Sequence, residues 1–203
     1  MSVLAQIELI SGLLLITFGF WVGAIPFGVV IGRARGVDVQ VRGSGNIGAT
    51  NVARTVGKKA GIVVLVLDAL KGAVPILAWL YVVDPQPGGW WLVAVGLSPI
   101  LGHCFSPWLR LRGGKGVATA LGVFLALTPL AAGVGVATFA VVYALFRVAS
   151  LGSMIGAVAI AIATALRYDS RPALVLAIAA AALIILRHRG NLTRLLKRSE
   201  LRV

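Results

Sequence analysis

The stretch Gly61-Ile62-Val63-Val64-Leu65-Val66-Leu67-Asp68-Ala69-Leu70-Lys71-Gly72-Ala73-Val74-Pro75-Ile76-Leu77-Ala78-Trp79-Leu80-Tyr81-Val82-Val83 carries only two charged side chains, Asp68 and Lys71. As a helix it is long enough to cross the ~30 Å hydrocarbon core of a bilayer. Ala173–Leu186 is likewise apolar. Across the 203 residues, 59% are hydrophobic and 12% charged, where a soluble domain carries about a quarter charged residues. The chain therefore reads as an all-α, polytopic integral membrane protein, a single membrane-embedded unit over residues 1–203.

Spans are expected at 9–31, 61–83, 91–107, 117–130, 132–146, 150–166 and 172–187. The N-terminus lacks the basic start and small-residue cleavage site of a signal peptide, so the first segment reads as a retained span. Residues 117–146 are too many for one straight helix, and Pro129 with Ala131-Ala132-Gly133 marks a turn among them. Cys104 is the lone cysteine, which excludes an internal disulfide.

The net charge of +13 would suggest nucleic acid in a soluble protein. Here the cations crowd into loops beside apolar segments, so no nucleic-acid partner is expected. Residues 32–60 hold Arg33, Arg35, Arg42, Arg54, Lys58 and Lys59, and residues 108–116 hold Arg110, Arg112 and Lys115. The tail holds Arg187, Arg189, Arg194, Lys197, Arg198 and Arg202. The positive-inside rule puts all three groups on the cytoplasmic side, in contact with anionic lipid. Two helices within 117–146 give the even number of crossings this demands. The expectation is seven transmembrane helices, some short, with the N-terminus outside and the C-terminus cytoplasmic.

The same parity gathers the polar segments on one membrane face. The first is Gly43-Ser44-Gly45-Asn46-Ile47-Gly48-Ala49-Thr50-Asn51 with Arg54. Glycines let backbone N–H groups turn toward a phosphate, and Arg adds the counter-charge. The spacing satisfies G-x-G-x-x-G, but no buried strand precedes it, so a dinucleotide fold is excluded. The second runs from Gly102-His103 to Arg112-Gly113-Gly114-Lys115-Gly116-Val117-Ala118-Thr119. Gly116 stands where a Walker A motif needs Ser or Thr. The third is His188-Arg189-Gly190-Asn191-Leu192-Thr193-Arg194, with His188 and Asn191 at i, i+3. Ser150 and Ser153 share a face in the same way. Asp68 and Lys71 form a candidate ion pair inside a span.

No His/Cys/carboxylate cluster suits zinc, and the cytoplasmic loops offer only Asp38 and Glu200 as carboxylates. A metal site is thus not expected. Any proton acceptor is expected to be a histidine or the substrate itself.

These three segments, in this order and spacing over essentially the whole chain, resemble the motifs of the bacterial acyl-phosphate:glycerol-3-phosphate acyltransferases, the PlsY family. Ser150-Leu151-x-Ser153 resembles a serine segment of that family. The chain departs at Arg112, where the family often has Lys, and at Lys197-Arg198-Ser199-Glu200, where a Gly-x-Glu is usual. The resemblance implies a multi-pass enzyme of the bacterial cytoplasmic (inner) membrane whose site faces the cytoplasm. It implies acyl transfer from acyl phosphate to the sn-1 hydroxyl of glycerol 3-phosphate, with no cofactor and no metal. Carried over by motif, Ser44, Arg54, Lys115, His188 and Asn191 are catalytic. Gly43, Gly45, Asn46, Gly48, Thr50, Asn51, His103, Arg112, Gly113, Gly114, Gly116, Thr119, Ser150 and Ser153 surround the substrates. The acyl chain is expected between helices, with room left by Ala118, Ala120 and Gly122. The sequence leaves the oligomeric state open, with a monomer as the reading carried forward. A transporter for an organic phosphate is the competing class, but it would call for a repeat and paired interrupted helices, which the sequence lacks. A small scaffold that binds anionic lipid would explain the charge but not the glycine-asparagine loops.

Overall fold

The computed structural model describes residues 3–83 and 89–200, with side chains from Gln6 onward. Arg202, counted above among the tail cations, lies outside the described residues. All regular structure among the described residues is helical.

Helix α1 (Val3–Ala24) ends before Pro26, which has no N–H to continue it, and α2 (Phe27–Ala34) follows at once. The first expected span is therefore broken at Ile25-Pro26. The polar region that follows is not all loop. Gly48 caps a short α3 (Ala49–Thr55), which carries Thr50, Asn51 and Arg54. Helix α4 (Lys58–Ala78) contains Pro75 and runs into a π-helical turn at Trp79–Val83. Helix α5 (Trp91–Cys104) leads into a 3-10 turn, Pro107–Leu109.

Residues 117–146 do form two helices, α6 (Val117–Leu127) and α7 (Pro129–Phe146), parted at Thr128. Then come α8 (Ala149–Arg167), α9 (Arg171–Arg187) and α10 (Arg189–Leu196). The Ser170 hydroxyl caps α9 by accepting from the Ala173 N–H at 3.3 Å. Helices α9 and α10 meet at 57° about His188.

Among the described residues, five helical segments have the length and composition to cross a membrane, and a sixth results if α9 and α10 count as one bent span. Helix α6, with 11 residues, is only about 16 Å long. Large apolar side chains such as Ile10, Leu14, Ile62, Leu70 and Ile178 are exposed along these helices, as lipid-facing surfaces must be. Trp21 and Trp108 pair at 5.9 Å between ring centroids, in the manner of interfacial aromatics.

Helix α1 packs on α5, α4 on α6, and α7 on α8. Contact between α4 and α6 is close enough that a Cβ on Gly122 would overlap the Ala69 carbonyl oxygen. Gly122 therefore seats one helix on another and leaves no room for a chain, contrary to expectation. Asp68 and Lys71 pair at 2.7 Å, and Lys71 Nζ also donates to Ile25 O at 3.0 Å. The ion pair thus bridges α4 to the α1–α2 break.

Candidate active site

The three polar segments meet at the mouth of one cavity of about 620 Å³. Helices α3 to α10, with the turn after α10, supply its walls. At the polar end stand Ser44, Arg54, Lys115, His188 and Asn191. Asn46, Gly48, Thr50 and Asn51 line it from the first segment, His103 and Gly116 from the second, and Ser150 and Ser153 from α8. The deep end is apolar, bounded by Phe124, Gly135, Ile160 and Ala177. Ala118 and Ala120 line it as expected, together with the small residues Gly156, Ala157, Ala180 and Ala181. Ile62, Leu65 and Val136 belong to the cavity wall and are also 60%, 42% and 46% exposed, so the wall is open on the lipid side.

Asn51 organises the first segment. Its Oδ1 accepts from Ser44 N at 2.8 Å, and its Nδ2 donates to Val39 O at 2.9 Å and Arg42 O at 3.0 Å. Gly43 (φ 61°) presses so closely on this amide that a Cβ would overlap Asn51 Oδ1. Gly48 N donates to Asn46 Oδ1 at 2.8 Å. These asparagines and several loop N–H groups are thus already committed to shaping the loop. Gly43 and Gly45 support it from outside the cavity.

In the second segment, Gly113 N donates to Cys104 O at 3.2 Å and Gly114 N to His103 O at 3.0 Å. A Cβ on Gly114 would overlap the His103 ring. The two glycines lie along the end of α5, with their N–H groups spent on its last carbonyls. Arg112 is exposed beyond the cavity, and Thr119 is buried where α6 meets α4. Neither lines the cavity.

Lys115 Nζ donates to Asn191 Oδ1. Asn191 Nδ2 donates to Glu200 Oε1, which also accepts from Ser150 Oγ at 3.0 Å, while Arg194 Nε donates to Glu200 Oε2 at 2.8 Å. A left-handed turn at Arg198 (φ 54°) brings this carboxylate back over the site. Burial pushes the Glu200 carboxyl up, but the bonds from Asn191, Arg194 and Ser150 and the Arg194 charge outweigh it and hold it below the usual range. Burial likewise lowers Lys115 to about 8; Glu200 opposes the shift, and Arg194, Arg187 and Arg54 add to it. His188, which is buried, holds Nδ1 2.8 Å from Ile184 O. A carbonyl can only accept, so Nδ1 carries the proton and Nε2 is left as an acceptor.

A sequence profile of the glycerol-3-phosphate acyltransferase family matches residues 13–198. The chain belongs to the glycerol-3-phosphate acyltransferase family. It is 48% identical over 195 residues to the glycerol-3-phosphate acyltransferase of Anaeromyxobacter dehalogenans strain 2CP-1, covering 95% of this chain and 97% of that one. Identity to the Myxococcus xanthus acyltransferase is 48% over 194 residues, covering 93% and 97%. Among solved structures, the integral membrane acyltransferase PlsY in its glycerol 3-phosphate form superposes with a TM-score of 0.91 at 39% identity, covering 95% and 96%. Its lysophosphatidic acid form gives 0.89 at 40%, covering 95% of each chain.

Against that acyltransferase background, two residues of this site escaped the sequence reading. Glu200 sits in the turn after α10 and was read only as a loop carboxylate at the end of the tail motif, not as part of the cavity. Lys58, the first residue of α4, also lines it and was read only as a loop cation.

Proposed function

We propose that this chain moves a fatty acyl group from acyl phosphate to the sn-1 hydroxyl of glycerol 3-phosphate. The products are lysophosphatidic acid and inorganic phosphate. The observation that supports this most strongly is the convergence of Arg54, Lys115, His188 and Asn191 at the polar mouth of an otherwise apolar cavity. Two phosphate-bearing headgroups and one acyl chain are what such a cavity suits.

In this reading the first segment and Arg54 grip one phosphate. Lys115 grips the second and stabilises the oxyanion that forms on the acyl carbon. Each charge-assisted hydrogen bond contributes about 1.5–3 kcal/mol. His188 Nε2 accepts from the neighbouring sn-2 hydroxyl and, with Ser44 and Asn191, aims the sn-1 oxygen at the carbonyl carbon while the sn-1 proton faces the phosphate. The new C–O ester bond forms as the acyl–phosphate C–O bond breaks, and the hydroxyl proton passes to an oxygen of the departing phosphate. Glu200 holds Asn191 in place through bonds it already makes, so no free carboxylate base is required. Phosphate is a good leaving group, so no acyl-enzyme is needed, and Cys104→Ala is expected to retain activity.

The reading carries the rest of the topology with it: seven membrane helices, the N-terminus outside, and the C-terminus and site on the cytoplasmic side of the bacterial inner membrane. Catalysis by a monomer is part of it. The deciding experiment is release of inorganic phosphate by the purified protein given acyl phosphate and glycerol 3-phosphate. Release that depends on both substrates supports the reading. Binding or transport of glycerol 3-phosphate without release overturns it.

A further inference from the structure

Arg187 closes α9 and was counted above only as one of the cations that orient the chain. Its guanidinium makes a two-pronged contact: Nε donates to Gly114 O at 3.1 Å and Nη2 to Gly113 O at 3.0 Å. The group also lies over the Phe105 ring, 5.2 Å from its centroid, and is backed by the residue that caps α5.

The same two glycines spend their N–H groups on Cys104 O and His103 O. All four backbone polar groups of Gly113-Gly114 are therefore engaged, the donors toward α5 and the acceptors toward α9. The next residue is Lys115, whose ammonium reaches Asn191 at the cavity mouth. A planar fork with fixed N–H directions can serve two successive carbonyls, and a lysine ammonium cannot reproduce it.

We propose that Arg187 is a positioning residue for acyl transfer, its fork fixing the Gly113-Gly114 backbone so that Lys115 stands at the head of the cavity. This rests on the reading of Lys115 given under Proposed function. Loss of the fork orphans two carbonyls and frees the backbone that carries the ammonium. A misplacement of about 1 Å at a reacting group costs up to roughly a hundredfold in rate.

The test uses the full-length protein in detergent with acyl phosphate and glycerol 3-phosphate, comparing the parent with Arg187→Lys and Arg187→Gln. Folding is read from thermal unfolding, and kcat/KM from phosphate release across pH. Both variants are expected to fold and to lose about ten- to a hundredfold in kcat/KM. In Arg187→Lys the alkaline fall stays near the parent's, at about 8. In Arg187→Gln it moves upward, because a neighbouring positive charge that favours the neutral amine has gone. A part that only holds the fold together would lower the folded fraction and leave kcat/KM per folded molecule near the parent's. The inference is overturned if Arg187→Lys stays within about twofold of the parent, if the Arg187→Gln limb does not move, or if neither variant folds. A parent protein that releases no phosphate fails the functional reading itself and takes this inference with it.

Discussion

The Lys115 ammonium and the Asn191 side-chain oxygen meet across 76 positions of the chain. That bond ties the glycine loop before α6 to the first turn of α10. It makes the geometry of the cation dependent on two helices remote in sequence.

Lys115→Ala is expected to lower turnover by about 10²–10³, the usual cost of removing one oxyanion donor, with the unfolding temperature retained. The site needs Lys115 charged, and its ammonium titrates at about 8, so kcat/KM falls as pH rises through that value. Lys115→Arg keeps its charge, and its residual rate stays flat there. An alkaline fall unchanged in Lys115→Arg assigns the limb to another group.

Asn51→Asp removes the donor that serves Val39 O and Arg42 O. The buried Val39 carbonyl left orphaned costs about 1–3 kcal/mol and the part-buried Arg42 carbonyl less, and the loop that carries Ser44 loosens. Faster amide hydrogen exchange over residues 39–51, together with reduced activity, is the expected result. Unchanged exchange there excludes the latch.

Lys71→Met leaves the Asp68 carboxylate buried without its partner, at a cost of about 3–5 kcal/mol. The double variant Asp68→Asn/Lys71→Met recovers most of that loss. Thermal unfolding in detergent reads both. A double variant no more stable than the single one shows that the pair is not what is being lost.

Ala181 and Ala177 line the cavity on α9, and they lie about 10 Å and about 16 Å along the helix from His188. A leucine at Ala177 is expected to favour dodecanoyl over hexadecanoyl phosphate by about tenfold, and a leucine at Ala181, which meets both chains, by less. Competition between the two donors measures the ratio. An unchanged ratio in both variants places the acyl chain elsewhere.

Much of the architecture was legible because bilayer solvation is a coarse constraint. The run 61–83 had to be helical, and Pro129 had to part the helices around it. The break at Pro26 was also signalled, but the apolar residues on either side hid it. Helix α3 was invisible because glycines and asparagines read as loop until Asn51 is seen satisfying the carbonyls around it. The site's cations and His188 were legible by type and order, since phosphate recognition calls for those groups. Gly113, Gly114 and Arg112 show the limit of that reasoning: a glycine beside a lysine looks the same whether its N–H faces a ligand or a neighbouring helix. Glu200 needed the fold, since one turn at Arg198 decides where it goes. Arg187 resembled any cation at a membrane edge until the carbonyls it grips were in view.

The gap in the cavity wall at Ile62, Leu65 and Val136 bears on how the reaction ends. A newly made single-tailed lipid already has its hydrocarbon against the leaflet when its ester forms. Discharge then needs only the headgroup to slip free of its cations, and the tail never has to be wetted. Membrane composition, through the crowding of neighbouring tails at that gap, thereby becomes a direct influence on turnover.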